Sequence, residues 1–170
     1  MTLVNSSTAY GTISKTMHWL IAALIVAMLL SGFFMDDIAN DAIKHTVNNL
    51  HKLTGITIFV LMLARLIWRL TNTRPDIFPQ LPQWQKFAAT TMHSVLYTLI
   101  LIMPLTGWIM STAAGHFPHI GALTLPLPFI IKSKAISSLF FSYHQIIAWV
   151  IIGLITLHAV AALSHKRFGP

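Results

Sequence analysis

Four long runs of apolar residues divide the chain, and each has the length of a helix that crosses a membrane. The first run, at about residues 16–35, holds no charged residue, and about 20 apolar residues let a helix cross roughly 30 Å of hydrocarbon. The others lie at about residues 48–70, 87–113 and 135–165. The pattern predicts an all-α integral membrane four-helix bundle, with residues 1–170 forming a single domain.

The segments that connect these runs are polar or rich in Gly and Pro. Asp36, Asp37 and Asp41 mark an aqueous turn after the first run. The stretch TNTRPDIFPQLPQWQK is rich in Pro and Gln, a composition that cannot continue a membrane helix. The stretch GHFPHIGALTLPLPFIIKSK is typical of a re-entrant or interfacial loop. Because the polar N-terminus lacks a small-residue cleavage site, we expect the first run to stay in the protein.

Composition argues against several other classes of protein. Of the 170 residues, 55% are hydrophobic and only 9% are charged, against roughly 25% in a soluble domain. The net charge of +7 comes from small basic clusters between charge-free stretches, unlike the basic surface of a nucleic-acid-binding protein. Without Cys the chain forms no disulfide, thiolate zinc site, iron–sulfur cluster or covalent c-type haem. The nine histidines are therefore its main chemical resource.

The basic residues predict the orientation of the helices. One side of the membrane collects seven of them against one acidic residue, and the other side collects four against three aspartates. Since cytoplasmic loops carry the excess of Lys and Arg, we expect the richer side, with both termini, to be cytoplasmic. The four external lysines would attract a small anion, although the aspartates partly cancel that field. The seven are Lys15, Arg65, Arg69, Arg74, Lys86, Lys166 and Arg167, and the four are Lys44, Lys52, Lys132 and Lys134.

Two histidines on the fourth helix share one face at two depths. His144 and His158 are 14 residues apart, which corresponds to almost four helical turns and a rise of about 21 Å. The fourth helix enters from outside, so His144 lies near the external side and His158 toward the cytoplasm. His51, at the start of the second helix, matches the depth of His144. Both His18 and His93 match the depth of His158, and depth alone does not choose between them.

Two histidine pairs stacked in a four-helix bundle are what two six-coordinate b-type haems require, because each planar ring is held from both sides. Gly55, one turn beyond His51, and Gly153 on the fourth helix would let the backbone approach such a ring. Simple helix packing is the alternative explanation for both glycines. The remaining histidines, in turns or at the terminus, are expected to be solvated or interfacial: His45, His116, His119 and His165.

Two arginines lie one turn apart at the cytoplasmic end of the second helix. Arg65 and Arg69 share one face there. A pair of guanidinium groups is well suited to bind the propionates of a haem. An equally valid interpretation is that both residues determine the topology of the helix.

The chain resembles the bacterial cytochrome b561 family of small dihaem membrane proteins over nearly its whole length. The resemblance is carried by MHWL in the first helix, NNLHKLTG and LMLARLIWRL in the second, YTLILIMPLTGWIM in the third, and YHQIIAW, GLITLHAVAAL and SHKRF in the fourth. Order, spacing and flanking residues all agree. The resemblance implies that the axial ligands of two b-type haems are paired His18 with His158 and His51 with His144, and it favours His18 over His93 as the partner of His158.

The resemblance also implies a function. It points to electron transfer in the bacterial inner membrane, with exchange of electrons with membrane quinone and, in one type of member, oxidation of superoxide at the outer face. Bis-His ligation leaves no open position on the iron, so direct oxygen binding is not expected. Two alternatives stay open here: a haem-bearing membrane anchor and electron-transfer subunit of a larger dehydrogenase or hydrogenase, and a structural or transport protein whose histidines bind a metal or carry protons.

Overall fold

The computed structural model describes residues 2–75 and 82–168, with side chains described as far as residue 164. Its helices form because hydrocarbon offers no partner for backbone polar groups, so each segment must satisfy its own. Within the described residues, four helices are long and apolar enough to cross a membrane. This confirms the predicted all-α membrane four-helix bundle. The helices are α1 (Thr12–Phe34), followed by a 3-10 turn at Met35–Asp37, α2 (Asp41–Thr71), α3 (Gln83–Ala114) and α4 (Lys134–Phe168).

The helices extend beyond the apolar runs. Helix α2 begins at Asp41, seven residues before the predicted start near residue 48. The Asn40 side chain accepts a hydrogen bond from the backbone N–H of Ile43 (3.1 Å), and Asp41 places a negative charge in the first turn. Both features stabilise a helix start in water. Helix α1 begins at Thr12 rather than near 16, and α3 at Gln83 rather than near 87.

The helices pack in sequence order around a small core. Helix α1 packs on α2, α2 on α3, and α3 on α4. At mid-height, buried Ile21 and Ile25 of α1 meet Ile58 and Met62 of α2. Many other large apolar side chains face outward, such as Trp149, with 64% of its surface exposed. In a membrane these side chains lie against lipid, which is why so little apolar surface needs to be buried inside the bundle.

The loop between α3 and α4 is tied to the end of α2. It contains two short antiparallel strands, β1 (His119–Ile120) and β2 (Leu123–Thr124). The Asn49 side chain of α2 donates a hydrogen bond to the carbonyl of His119 (2.8 Å) and accepts one from its N–H (2.9 Å). One side chain therefore satisfies both backbone groups of His119 and holds the loop over this end of the bundle.

At the opposite end, the N-terminal segment folds over the start of α1. Asn5 accepts hydrogen bonds from the N–H of Gly11 (3.0 Å) and the hydroxyl of Ser14 (2.7 Å), and donates to the carbonyl of Thr73 (2.9 Å). Gly11 is buried, and a Cβ there would lie 2.4 Å from the carbonyl oxygen of Val4. Only glycine fits this position, so the segment depends on it.

Parts of the sequence interpretation fall outside the described residues. The middle of the polar connection between the second and third runs, including Asp76, belongs there. So do the side chains of His165, Lys166 and Arg167.

Candidate functional site

Four of the histidines form two facing pairs inside the bundle. His51 on α2 faces His144 on α4 with 6.4 Å between ring centres. His18 on α1 faces His158 on α4, also at 6.4 Å. Along α4 the two levels are about 21 Å apart. We call His51–His144 the outer pair and His18–His158 the inner pair, after the topology predicted from the sequence.

The spacing within each pair suits two axial imidazoles on one metal ion. A metal–nitrogen bond of about 2.0 Å on each side, and about 1.1 Å from each nitrogen to its ring centre, place the ring centres about 6.2 Å apart. Both pairs have 6.4 Å. A porphyrin brings its own four equatorial nitrogens, so two opposed imidazoles complete the ligand set of a haem iron. The residues present therefore fit a b-type haem at each level.

A third histidine, His93 on α3, reaches the inner level. Its ring centre lies 5.3 Å from that of His158, about 1 Å less than two axial ligands require. Its Nδ1 lies 2.6 Å from the carbonyl oxygen of Ala89, one turn earlier on the same helix. The depth of the residues did not choose between His18 and His93 as the partner of His158. The ring centre of His18 lies 6.4 Å from that of His158, the same distance as in the outer pair.

Hydrogen bonds orient the ring of His51. Its Nδ1 lies 2.8 Å from the hydroxyl oxygen of Ser31, and that hydroxyl donates its proton to the carbonyl of Met28 (3.0 Å). Because a hydroxyl has a single proton, the Ser31 oxygen accepts its second hydrogen bond from Nδ1–H. Nε2 of His51 then carries the lone pair that a metal ion binds.

His144 is oriented in the same way by α3. Its Nδ1 lies 3.0 Å from the hydroxyl oxygen of Thr106 and 3.2 Å from the carbonyl oxygen of Met103. A carbonyl oxygen only accepts hydrogen bonds, so Nδ1 of His144 carries the proton. The Thr106 hydroxyl itself donates to the Met103 carbonyl (2.7 Å). Both outer imidazoles thus present Nε2 as the free ligand atom.

The surroundings of the inner pair are different. Nδ1 of His18 is buried and has no hydrogen-bond partner among the described residues. Arg65 and Arg69 are half-buried and lie over the ring of Tyr97, with guanidinium carbons 5.4 and 5.0 Å from its centre. Arg65 is also close enough to interact electrostatically with His18. The two predicted cofactor arginines therefore lie at the inner level, stacked on an aromatic ring.

Glycines from three helices surround the outer pair. The cavity that contains His51 and His144 is also lined by Gly32 of α1, Gly55 of α2 and Gly107 of α3. A Cβ at Gly107 would lie 3.0 Å from Cε1 of His144, and a Cβ at Gly32 would lie 3.4 Å from Cε1 of His51. Gly107 therefore lets α3 approach the imidazole more closely than any larger residue would.

Other predicted residues lie elsewhere. A Cβ at Gly153 would meet nothing within 4 Å, so the described structure gives this glycine no packing partner. The histidines predicted to be solvated or interfacial are exposed where the structure describes their side chains. These are His45, His116 and His119.

Sequence reasoning missed four residues that shape the outer pair. On α1, Ser31 supplies a hydrogen-bond acceptor and Gly32 allows a close approach of the backbone. On α3, Thr106 and Gly107 have the same two roles. Both are dipeptides of a hydroxyl residue followed by glycine inside an apolar run. Since a hydroxyl in an apolar segment usually has a partner, this repeated pattern is the signal that would have identified them.

Known proteins similar to this chain identify its family. The family model for prokaryotic cytochrome b561 matches residues 9–170. Cytochrome b561 homolog 2 of Escherichia coli (strain K12) is 28% identical over 167 residues, which cover 97% of this chain and 88% of the relative. Cytochrome b561 homolog 1 of the same organism is 33% identical over 161 residues, covering 89% and 88%. Probable superoxide oxidase CybB of Yersinia pestis is 26% identical over 164 residues, covering 92% and 88%. The chain belongs to the prokaryotic cytochrome b561 family of multi-pass membrane proteins, which transfer electrons with b-type haem.

Proposed function

We propose that this chain is a cytochrome of the bacterial inner membrane that carries electrons across the bilayer on two b-type haems. His51 and His144 hold one haem at the outer level, and His18 and His158 hold the other at the inner level. Both termini lie in the cytoplasm. Membrane quinone accepts the electrons, and superoxide is the donor at the outer face.

The observation that carries this proposal is the equal spacing of the two pairs. Each pair has 6.4 Å between ring centres, which is the separation that axial ligation needs. The levels are about 21 Å apart in a hydrocarbon core roughly 30 Å thick. Redox groups at these two levels would lie near opposite faces of the membrane, as transmembrane electron transfer requires.

The residues of the chain would bind the haems, orient the imidazoles and separate the two levels with apolar side chains. A haem held by two imidazoles supplies a one-electron couple without an open position on the iron. Ser31 and Thr106 hold the outer imidazoles with Nε2 free. Between the two levels, buried Ile21 and Ile25 of α1 pack on Ile58 and Met62 of α2. Arg65 and Arg69 place positive charge at the inner level, where they would bind haem propionates.

The quinone and superoxide assignments are supported by the family and by the name of the Yersinia pestis relative. Quinone dissolves in the bilayer, and the apolar outer faces of the helices let it approach the bundle from lipid. At the outer face, Lys44 contacts Asp36 (3.9 Å), while the ammonium group of Lys52 donates to the carbonyl of His116 at the mouth of the outer cavity. Positive charge at this mouth attracts a small anion.

A haem count with matched histidine variants tests the proposal. Purified, haem-loaded protein should contain two haems per chain in a pyridine haemochrome assay. His51→Ala should lose one haem and His18→Ala the other, which difference spectra would distinguish. The matched control is His93→Ala, which removes the third histidine of the inner level and should keep both haems. A haem lost in His93→Ala but kept in His18→Ala would reverse the ligand assignment, and a colourless or single-haem protein would overturn the proposal.

Rapid mixing tests the substrates separately. Superoxide should reduce the haems of the oxidised protein, and a soluble quinone analogue should then reoxidise them; the absorption bands of the haems report both steps. Prior addition of superoxide dismutase is the control and should abolish the reduction. If the haems stay oxidised after mixing with superoxide, superoxide is not the donor. If the quinone analogue reoxidises the reduced haems only slowly, quinone is not the acceptor.

A further inference from the structure

The two histidine pairs differ in the groups that contact their imidazoles. At the outer level both rings donate Nδ1–H to oxygen: His51 to Ser31 at 2.8 Å, and His144 to Thr106 at 3.0 Å and to a backbone carbonyl at 3.2 Å. At the inner level, the buried Nδ1 of His18 has no such partner among the described residues. A hydrogen bond from Nδ1–H makes an imidazole a more basic ligand. Both outer imidazoles are therefore stronger electron donors to a metal than His18 is.

The charges at the two levels differ as well. Arg65 and Arg69 are both half-buried at the inner level, and the sequence has one acidic residue on that side, Asp76, which lies outside the described residues. At the outer level, Asp36 lines the cavity and pairs with Lys44 (3.9 Å), while Lys52 donates to the carbonyl of His116 (2.9 Å). On that side the sequence sets three aspartates against four lysines. Among the chain's own side chains, the excess of positive over negative charge is therefore greater at the inner level.

Both differences would place the reduction potential at the outer level below that at the inner level. The oxidised, ferric iron carries one more positive charge than the ferrous iron. A more basic imidazole stabilises the ferric state and lowers the reduction potential. A nearby cation destabilises the ferric state and raises the potential, the more so in a medium of low dielectric constant.

We infer that Ser31 and Thr106 are positioning residues that hold the reduction potential at the outer pair below that at the inner pair. The difference favours the movement of one electron inward: the outer centre is oxidised, the inner centre is reduced, and no bond or proton changes place. This inference rests on the proposed function, which supplies a one-electron reductant outside and quinone as acceptor. It adds the residues that set the relative reduction potentials at the two levels.

A redox titration of the purified, haem-loaded protein, followed by absorption, tests the inference. It should resolve two midpoint potentials. In Ser31→Ala, and independently in Thr106→Val, the lower potential should rise while the higher one stays constant. Arg69→Gln should lower the higher potential. The matched control is Thr98→Val, also on α3, whose hydroxyl donates to the carbonyl of Ser94 (3.0 Å), and it should move neither potential.

The assignment of each potential is checked with one more variant. His51→Ala removes the outer haem under the proposed function, so its single remaining potential should coincide with the higher one of the parent protein. Coincidence with the lower potential, or no shift in Ser31→Ala and Thr106→Val with both haems retained, would overturn the inference and leave the proposed function standing. A parent protein with one haem or none would overturn both.

Discussion

Replacing Gly107 by alanine should weaken haem binding at the outer pair and leave the inner pair unaffected. The added Cβ would lie 3.0 Å from Cε1 and 3.2 Å from Nδ1 of His144, whereas ordinary contacts begin at 3.4 Å. The imidazole must therefore retreat by about 0.4 Å or strain its surroundings. It cannot retreat freely, because Nδ1 is bonded to Thr106 and to the carbonyl of Met103.

The size of this effect follows from the cost of overpacking. Forcing an extra methyl group into a packed site costs about 1–3 kcal/mol, which corresponds to roughly 5- to 150-fold weaker retention of the outer haem. Part of the strain would appear as a lengthened hydrogen bond from His144 to Thr106. The outer midpoint potential should then rise as the haem becomes easier to lose.

The assay is the transfer of haem from detergent-solubilised protein to an excess of a soluble haem-binding apoprotein. The outer haem should leave faster in Gly107→Ala than in the parent protein, and faster still in Gly107→Val. The inner haem of the same molecule is the internal control, and its rate of loss should not change. Equal rates of outer haem loss in all three proteins would show that His144 does not lie against Gly107, and the reasoning would fail.

Three further predictions test other parts of the structure. Gly153→Leu should fold normally, since nothing lies within 4 Å of the added Cβ. It should nevertheless lose haem, because the haem ring predicted to lie against this glycine would meet the leucine side chain; a folded protein with both haems would assign Gly153 to the lipid-facing surface. Asn49→Ala removes two hydrogen bonds to the backbone of His119, each worth about 0.5–1.5 kcal/mol, and should speed deuterium exchange in the outer loop at an unchanged haem count; unaltered exchange would contradict the contact. Gly11→Ala should lower the Tm in detergent because the Cβ would lie 2.4 Å from the carbonyl oxygen of Val4, and a Tm equal to that of the parent would show that the N-terminal turn is not required.

The apolar runs of the sequence determined the four helices. Lipid demands about 20 apolar residues for each crossing and a helix to satisfy the backbone, so hydropathy alone identifies the spans. It does not locate the helix ends, because hydropathy marks where lipid stops and not where helical hydrogen bonding stops. The cap at Asn40 and the acidic first turn at Asp41 extend α2 through a stretch that the polar pattern assigned to an aqueous turn.

The order of the histidines along the helices determined their depth, since each residue of a helix adds a fixed rise along its axis. Depth left His18 and His93 equivalent as partners of His158. The tertiary structure separates them, with ring centres 6.4 and 5.3 Å from that of His158.

The physical reason is that a sequence states little about the rotation of a membrane helix about its axis. In water the apolar face of a helix turns inward, but α1 is apolar on nearly every side, so its pattern has no polar face to orient it. For the same reason, the sequence did not show that Ser31 contacts His51 and that Thr106 contacts His144. Only the packing of α1 on α2 and of α3 on α4 brings these hydroxyls to the outer imidazoles.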